Sequence, residues 1–107
     1  MKKWTVQDRY ENSIYFTEER WQHILESRPE LEPYFEQFLE TIRTGRRKQD
    51  ALLLNEYRYF KQFDELEPYN NHLVVIVIFK TNLGEHGKYT PNNFVVTGWA
   101  KYIQPKR

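Results

Sequence analysis

Few groups in this chain can move protons near neutral pH. It has three histidines and no cysteine. His23 sits in FTEERWQHI, near the start of a helical pattern. EYRYFKQF, residues 56–63, holds Arg58, Tyr59 and Lys61, and FVVTGWAKYI, residues 94–103, holds Thr97, Trp99 and Lys101. At the two-residue period of a strand, Tyr57, Tyr59, Lys61 and Phe63 share one face, and Arg58, Phe60 and Gln62 the other. Val95, Thr97, Trp99, Lys101 and Ile103 likewise share a face, opposite Phe94, Val96, Gly98, Ala100 and Tyr102. A hydroxyl, an indole N–H and an ammonium are costly in a sealed core, so the Thr97 face is expected to be open. Cutting RNA needs a base for the ribose 2′-OH, cations around the phosphate and an acid for the leaving oxygen. His23 is the candidate acid or base. Lys61 and Lys101, with Arg58 or the run Arg46, Arg47, Lys48, are the candidate cations. Thr97 is a candidate hydrogen-bond donor to a phosphate oxygen, and Tyr57, Tyr59 and Trp99 are candidate stacking platforms for unpaired bases.

A plainer reading stands beside each of these. At ~100° per residue, His23 falls about 200° from Trp21, on the side of the helix away from the apolar residues Trp21, Ile24 and Leu25. That is the place of a solvated helix histidine. Trp21 itself is expected in the core. Lys61 and Lys101 would serve equally to guard sheet edges. Thr97 suits a strand without any role. RRK is equally a solvated basic loop. His72, at a strand start, and His86, in a polar loop, read as having no special role. The three histidines show no metal-ligand spacing, so neither a metal nor a cofactor is expected. GEHGKYT lacks the strand-to-helix setting of a phosphate loop.

The elements that would position these groups fit one domain spanning residues 1–107. That length buries a core without disulfide or metal staples. The lack of cysteine excludes thiolate catalysis and fits a reducing compartment. The longest apolar run, LVVIVIF at 73–79, is far short of the about 20 residues that span a bilayer. MKKWTVQDRYENS carries no apolar h-region. The expectation is a cytoplasmic protein with no membrane partner. Formal net charge is +1, but its distribution is uneven. Glu18, Glu19, Glu26, Glu30, Glu32, Glu36 and Glu40 crowd the helical half, and Arg43, Arg46, Arg47, Lys48, Arg58 and Lys61 follow it. An acidic surface opposite a basic one would produce that near-neutral total.

Trp4 and Val6 alternate with polar neighbours, as do Ile14 and Phe16, with turn formers between, which predicts a β-hairpin. Thr17 is placed to cap a first helix reaching about Ser27, with Glu18 and Glu19 in its first turn. Pro29 opens a second helix carrying Leu31, Tyr34, Phe35, Phe38, Leu39 and Ile42, with Gly45 at its C′ position. RRKQD reads as a basic loop and ALLL as a short strand or turn. EYRYFKQF, HLVVIVIFK and FVVTGWAKYI read as strands, the middle one central because it is apolar on both faces. DELEPYNN and TNLGEHGKYTPNN read as connections. The fold class is α+β: a hairpin and two helices packed on a three- to four-stranded antiparallel sheet.

DRYENSIYFTEERWQHILESRPEL, YFEQFLETIRTGRRKQD, EYRYFKQF, HLVVIVIF and NNFVVTGWAKYI together resemble a group of small, phage-associated bacterial proteins, common in cyanobacteria. These are similar to members of the barnase–EndoU–colicin–RelE-like nuclease superfamily. The resemblance spans residues 8–103, and ERWQHI and VVTGWAKYI are its most specific parts. It implies metal-independent endoribonuclease activity on the open face of the sheet, often as the toxin of a toxin–antitoxin pair. His23 maps onto the family's helix histidine, Lys61 (or Arg58) onto its strand cation and Thr97 onto its final-strand hydroxyl. One departure stands out: Arg28-Pro29 replaces the family's histidine-proline. If that second histidine carries the chemistry, this chain would be weakened or would only bind RNA. Three readings follow: a small RNase, an inactive sheet that binds RNA or protein, and an interaction module whose acidic helices face a basic, antitoxin-like partner.

Overall fold

The computed structural model describes residues 2–66 and 69–105. In chain order the main elements are β1 (Lys3–Gln7), β2 (Ser13–Thr17), α1 (Glu18–Ser27), a 3-10 turn (Pro29–Tyr34), α2 (Phe35–Thr44), β3 (Arg46–Gln49), β4 (Glu56–Gln62), β5 (His72–Ile78), β6 (Thr81–Leu83), β7 (Tyr89–Pro91) and β8 (Asn93–Lys101). Among the described residues the strands form a six-stranded sheet in the order β1-β2-β8-β5-β4-β3 and a small β6-β7 hairpin. The fold is α+β, as the sequence predicts.

The sheet is larger than predicted because the N-terminal hairpin joins it. β2 pairs parallel with β8 through Ile14–Asn93 and Tyr15–Phe94. Asn93 locks the junction by donating its side-chain amide to the Ser13 carbonyl at 3.0 Å. The basic segment expected as a loop is strand β3, antiparallel to β4. Residues 81–91, expected as a loop, fold back as β6-β7. ALLL is a turn after β3. Asp50 accepts hydrogen bonds from the backbone N–H of Leu52 and Leu53 at 2.9 and 2.7 Å. The expected connection DELEPYNN lies partly outside the described residues.

Helix α1 starts where its cap dictates. Thr17 is extended, and its hydroxyl accepts from the Arg20 N–H at 3.1 Å. The predicted second helix is divided. Pro33 has no N–H and crowds the carbonyl one turn back, so Pro29–Tyr34 winds as a 3-10 turn and α2 begins only at Phe35. Gly45 ends α2, but with extended backbone at φ −71° rather than the left-handed form. Space is what requires glycine there: a Cβ would lie 2.3 Å from the Thr41 carbonyl oxygen and 2.7 Å from that of Phe60.

Both helices cover one sheet face. Trp21, Ile24, Phe38, Leu39 and Ile42 bury against Ile14, Phe16, Leu73, Val75, Val77 and Val95. Full burial of each such side chain stabilises by roughly 1.5–3 kcal/mol. Trp21 meets Phe38 at a ring separation of 5.2 Å, and Trp4 meets Phe35 at 4.5 Å. Gly98 lets α2 approach the sheet, since a Cβ there would fall 2.4 Å from Phe38 Cε1.

The sheet curls until its two edges meet. Asp8, just past β1 at one edge, accepts from Tyr59 Oη on β4 and pairs with Arg47 of β3 at 3.8 Å. The turn around Asp8 is self-supporting, because its carboxylate also accepts from the Tyr10 and Asn12 backbone N–H at 2.9 and 2.8 Å.

Candidate nucleic-acid interface

Among the described residues the second sheet face carries no helix, and register decides what it presents. Leu73, Val75 and Val77 point to the helices, so His72, Val74, Ile76 and Ile78 point away. Their cross-strand partners point away with them. Gln62, His72 and Lys101 form one row. Arg46, Phe60, Val74 and Trp99 form the next, and Lys48, Arg58, Ile76 and Thr97 the third. A fourth row holds Glu56, Ile78, Phe94 and Tyr15, with Thr5 beyond.

One irregularity creates this arrangement. Ile76 pairs with Thr97 and Val77 with Val95, so Val96 is an extra residue bulged out of β8. Strict alternation would put Phe94 opposite Thr97, Trp99 and Lys101. The bulge resets the phase: Val95 turns into the core, and Phe94 joins the Thr97 face beside Tyr15. Tyr15 and Phe94 meet at 5.8 Å between ring centres.

Cations flank these rings. Lys3 Nζ lies 4.8 Å from the Tyr15 ring, Lys80 Nζ 5.8 Å from Phe94, and the Arg58 guanidinium 5.8 Å from Trp99. Val74 and Ile76 stay buried although no helix covers them. Phe60, Trp99 and Arg58, in neighbouring register positions, shield them. Arg46, Lys48, Arg58 and Lys101 are exposed. Asp50 and Glu56 bring carboxylates to one corner of the face, where they line a pocket of about 210 Å³ with Lys48 and Arg58, and Glu11 lines a second opening with Lys80. The acidic residues of α1, α2 and the turn between them lie on the other side of the sheet. The asymmetry expected from the sequence is therefore partial: Arg46, Lys48 and Arg58 lie across the sheet from the acidic helices, whereas Arg43, Arg47 and Lys61 stay on the helix side, paired with Glu40 or Asp8.

The predicted site residues fall into two groups. Arg46, Lys48, Arg58, Thr97, Trp99 and Lys101 share the open face. His23, Lys61, Tyr59 and Arg47 do not. The His23 side chain is 63% exposed on α1, 4.0 Å from Glu26. Its surroundings are Glu19, Arg20, Gln22 and Glu26 of its own helix. Lys61 points to the helix side, where its ammonium donates to Glu40 at 3.0 Å and to the Thr44 hydroxyl at 2.5 Å. His23, Lys61 and Thr97 therefore occupy three separate surfaces.

Tyr59 and Arg47 belong to the interior. Tyr59 is fully buried, donating to Asp8 and accepting from Arg47 at 3.3 Å. The Arg47 guanidinium lies 4.3 Å from the Tyr10 ring and 4.3 Å from the Tyr57 ring. Burial and the Asp8 hydrogen bond raise the Tyr59 pKa. Burial works to raise that of Asp8, but hydrogen bonds from Tyr59, Asn12 and Tyr10 outweigh it and leave it lowered. The cluster clasps the two sheet edges together.

His72 is the positioned histidine of the molecule. The Asn71 amide is fixed at both ends by Ile103: its Nδ2 donates to the Ile103 carbonyl at 2.9 Å, and its Oδ1 accepts the Ile103 N–H at 2.8 Å. Oδ1 therefore faces His72 Nδ1, 2.8 Å away, and can only accept. The proton of the neutral ring sits on Nδ1, and Nε2 is left without a hydrogen bond among the described residues. Sequence reading passes over His72 because its clamp comes from a backbone 31 residues away. Among the described residues, no group of three or more His, Asp or Glu side chains is placed to hold a metal. No helix of the described residues is long and apolar enough to cross a membrane. Comparison with protein-family models, with curated proteins and with solved structures finds no match.

Proposed function

We propose that this protein binds single-stranded RNA across the open face of its sheet. The observation that carries the reading is the convergence of Tyr15, Phe94 and Trp99 with Lys3, Lys80, Arg58, Lys48 and Lys101 on one uncovered face. The three rings are half-buried; their accessible faces offer bases a stacking surface, and flanking cations neutralise the backbone. From Phe94 to Trp99 the strand advances by roughly 13–16 Å, room for bases of one strand to spread over both ring groups. The Thr97 hydroxyl, between them, is available to a phosphate oxygen or a ribose 2′-OH. Binding is favoured over cleavage by His23, Lys61 and Thr97, because that chemistry needs all three at one phosphate.

Fluorescence anisotropy with a labelled oligouridine tests the reading. Stacking contributes roughly 1–3 kcal/mol per base, so Trp99→Ala is expected to weaken binding about 5- to 150-fold, and Trp99→Phe far less. Equal affinity of wild type and Trp99→Ala would remove this face from the interface. The same RNA incubated in EDTA and run on a gel reports cleavage directly. His23→Ala is expected to leave both the binding and the gel unchanged.

A further inference from the structure

The open face ends in a cleft. β3 begins only at Arg46, so the last residues of β4 lack a neighbour on that side. The opening, about 390 Å³, is walled by Arg9, Thr44, Arg46, Lys61, Gln62 and His72, together with Gly45 and Phe60. Among the described residues no carboxylate lines it. The Lys61 charge is already balanced by Glu40 at 3.0 Å. Arg9 and Arg46 are exposed, and neither has an ion-pair partner among the described residues. His72 Nε2 is the remaining polar atom with a fixed ring and no bond. His72 is also the diagonal cross-strand neighbour of Trp99, roughly 7–8 Å away between backbones.

We propose that this cleft is a phosphate-binding site. It takes the terminal phosphate of an RNA strand whose end base stacks on Trp99, with Arg9 and Arg46 on the phosphate oxygens and His72 Nε2 donating to a third. The terminal-phosphate assignment rests on the RNA-binding reading; the site itself does not. A phosphomonoester fits better than an internal diester because its second charge matches two guanidinium groups and an imidazolium.

The groups that make up the cleft disfavour a charged imidazole. Partial burial and then the Lys101 ammonium lower the His72 pKa below its ordinary value. Asn71 Oδ1 holds Nδ1 of the ring, Gln62 of β4 and Lys101 of β8 are its cross-strand neighbours, and the cleft it shares is lined also by Arg46 from β3, Arg9 from the hairpin turn and Lys61, which is paired with Glu40. Those other than Glu40 are cationic or neutral. A bound dianion reverses the balance and draws a proton onto Nε2. Binding is therefore linked to proton uptake and strengthens as pH falls from 8 to 6.

The first arm uses the full chain and inorganic phosphate. Histidine ring signals are followed by NMR at pH 6, assigned with His23→Gln, His72→Gln and His86→Gln. A saturable shift of His72 alone, abolished in Arg46→Gln, is expected. An unmoved His72 overturns the site. The second arm compares one RNA oligomer with a 5′-phosphate, a 3′-phosphate or hydroxyl ends. One phosphorylated end is expected to bind about tenfold tighter at pH 6, with the preference shrinking at pH 8 and lost in His72→Gln. Equal affinity of all three overturns the terminal assignment. If phosphate moves His72 while no RNA binds, the RNA reading fails and the cleft stands as a site for a free phosphomonoester.

Discussion

Arg47 and Arg58 are expected to fail in opposite ways when truncated, although in the sequence they are two similar cations in the basic half of the chain. The Arg47 guanidinium pairs at 3.8 Å with an Asp8 side chain of 0% exposure and is itself 21% exposed. Removing it leaves a buried carboxylate without its cation, a change that typically costs about 3–5 kcal/mol. Hydrogen bonds from Tyr59, Asn12 and Tyr10 still hold Asp8, which places Arg47→Ala near the low end. Its contacts over the Tyr10 and Tyr57 rings, worth roughly 0.5–2 kcal/mol each, are lost as well. We therefore expect about 3 kcal/mol of destabilisation, which lowers Tm by roughly 10–20 °C. Arg58 is exposed on the open face, and Arg58→Ala should shift stability by no more than about 1 kcal/mol, through its contact with Trp99. Its RNA affinity should fall, with the salt-dependence slope reduced by about 0.7 for one phosphate contact on a single strand. Urea unfolding and anisotropy across a salt series measure both quantities on both variants. An Arg47→Ala protein as stable as wild type, or an Arg58→Ala protein with an unchanged salt slope, would refute the division of the basic residues into clasp and interface.

Gly98→Ala tests the packing that sets the two sheet faces apart. The added Cβ meets Phe38 Cε1 at 2.4 Å and the Val74 carbonyl oxygen at 2.8 Å, so a loss of roughly 1–3 kcal/mol is expected in urea unfolding. Acid titration tests the clasp. The Asp8 pKa is lowered on folding, so its contribution is complete above its ordinary value of 3.8 and is lost as pH falls through the lower folded value. The stability gap between wild type and Asp8→Asn should be widest at pH 7 and close below that value. A gap that stays constant into acid would show that Asp8 does not couple to folding through its charge.

The local part of this fold was legible in the sequence, because local chemistry decides it. Thr17 caps α1, Trp21 faces the core and the two-sided apolar run at 73–79 lies inside the sheet. Each follows from hydrogen bonding or burial within a few residues. The break in the predicted second helix was not read, because apolar spacing runs unbroken from Leu31 to Ile42; the missing N–H of Pro33 is why that stretch is a 3-10 turn followed by α2. The β2–β8 pairing was not legible, since it joins residues about eighty positions apart through backbone groups that every residue has. RRKQD looked like a loop because charged side chains hide strand character when one face is solvent and the other meets a clasp supplied by the distant hairpin.

The candidate site was partly legible for a related reason. Period-two reading correctly grouped Thr97, Trp99 and Lys101, and Arg58 with Phe60. It could not foresee that one extra residue at Val96 would bring Phe94 and Tyr15 to the same face, because FVV is apolar in either phase. Nor could it separate Lys61 from Arg58 by purpose. Adjacent residues on a strand point to opposite faces, and only the position of α2 tells which face is covered. Lys61 reaches Glu40 and Thr44 because α2 lies over it; Arg58 meets Trp99 because nothing does. The same covering separates the histidines. His23 has a catalytic residue's type but only its own helix for surroundings, whereas His72 has a fixed tautomer, a free Nε2 and a cationic cleft. For a domain of this kind, the residue that merits substitution first is the one whose orientation the fold has already paid to fix.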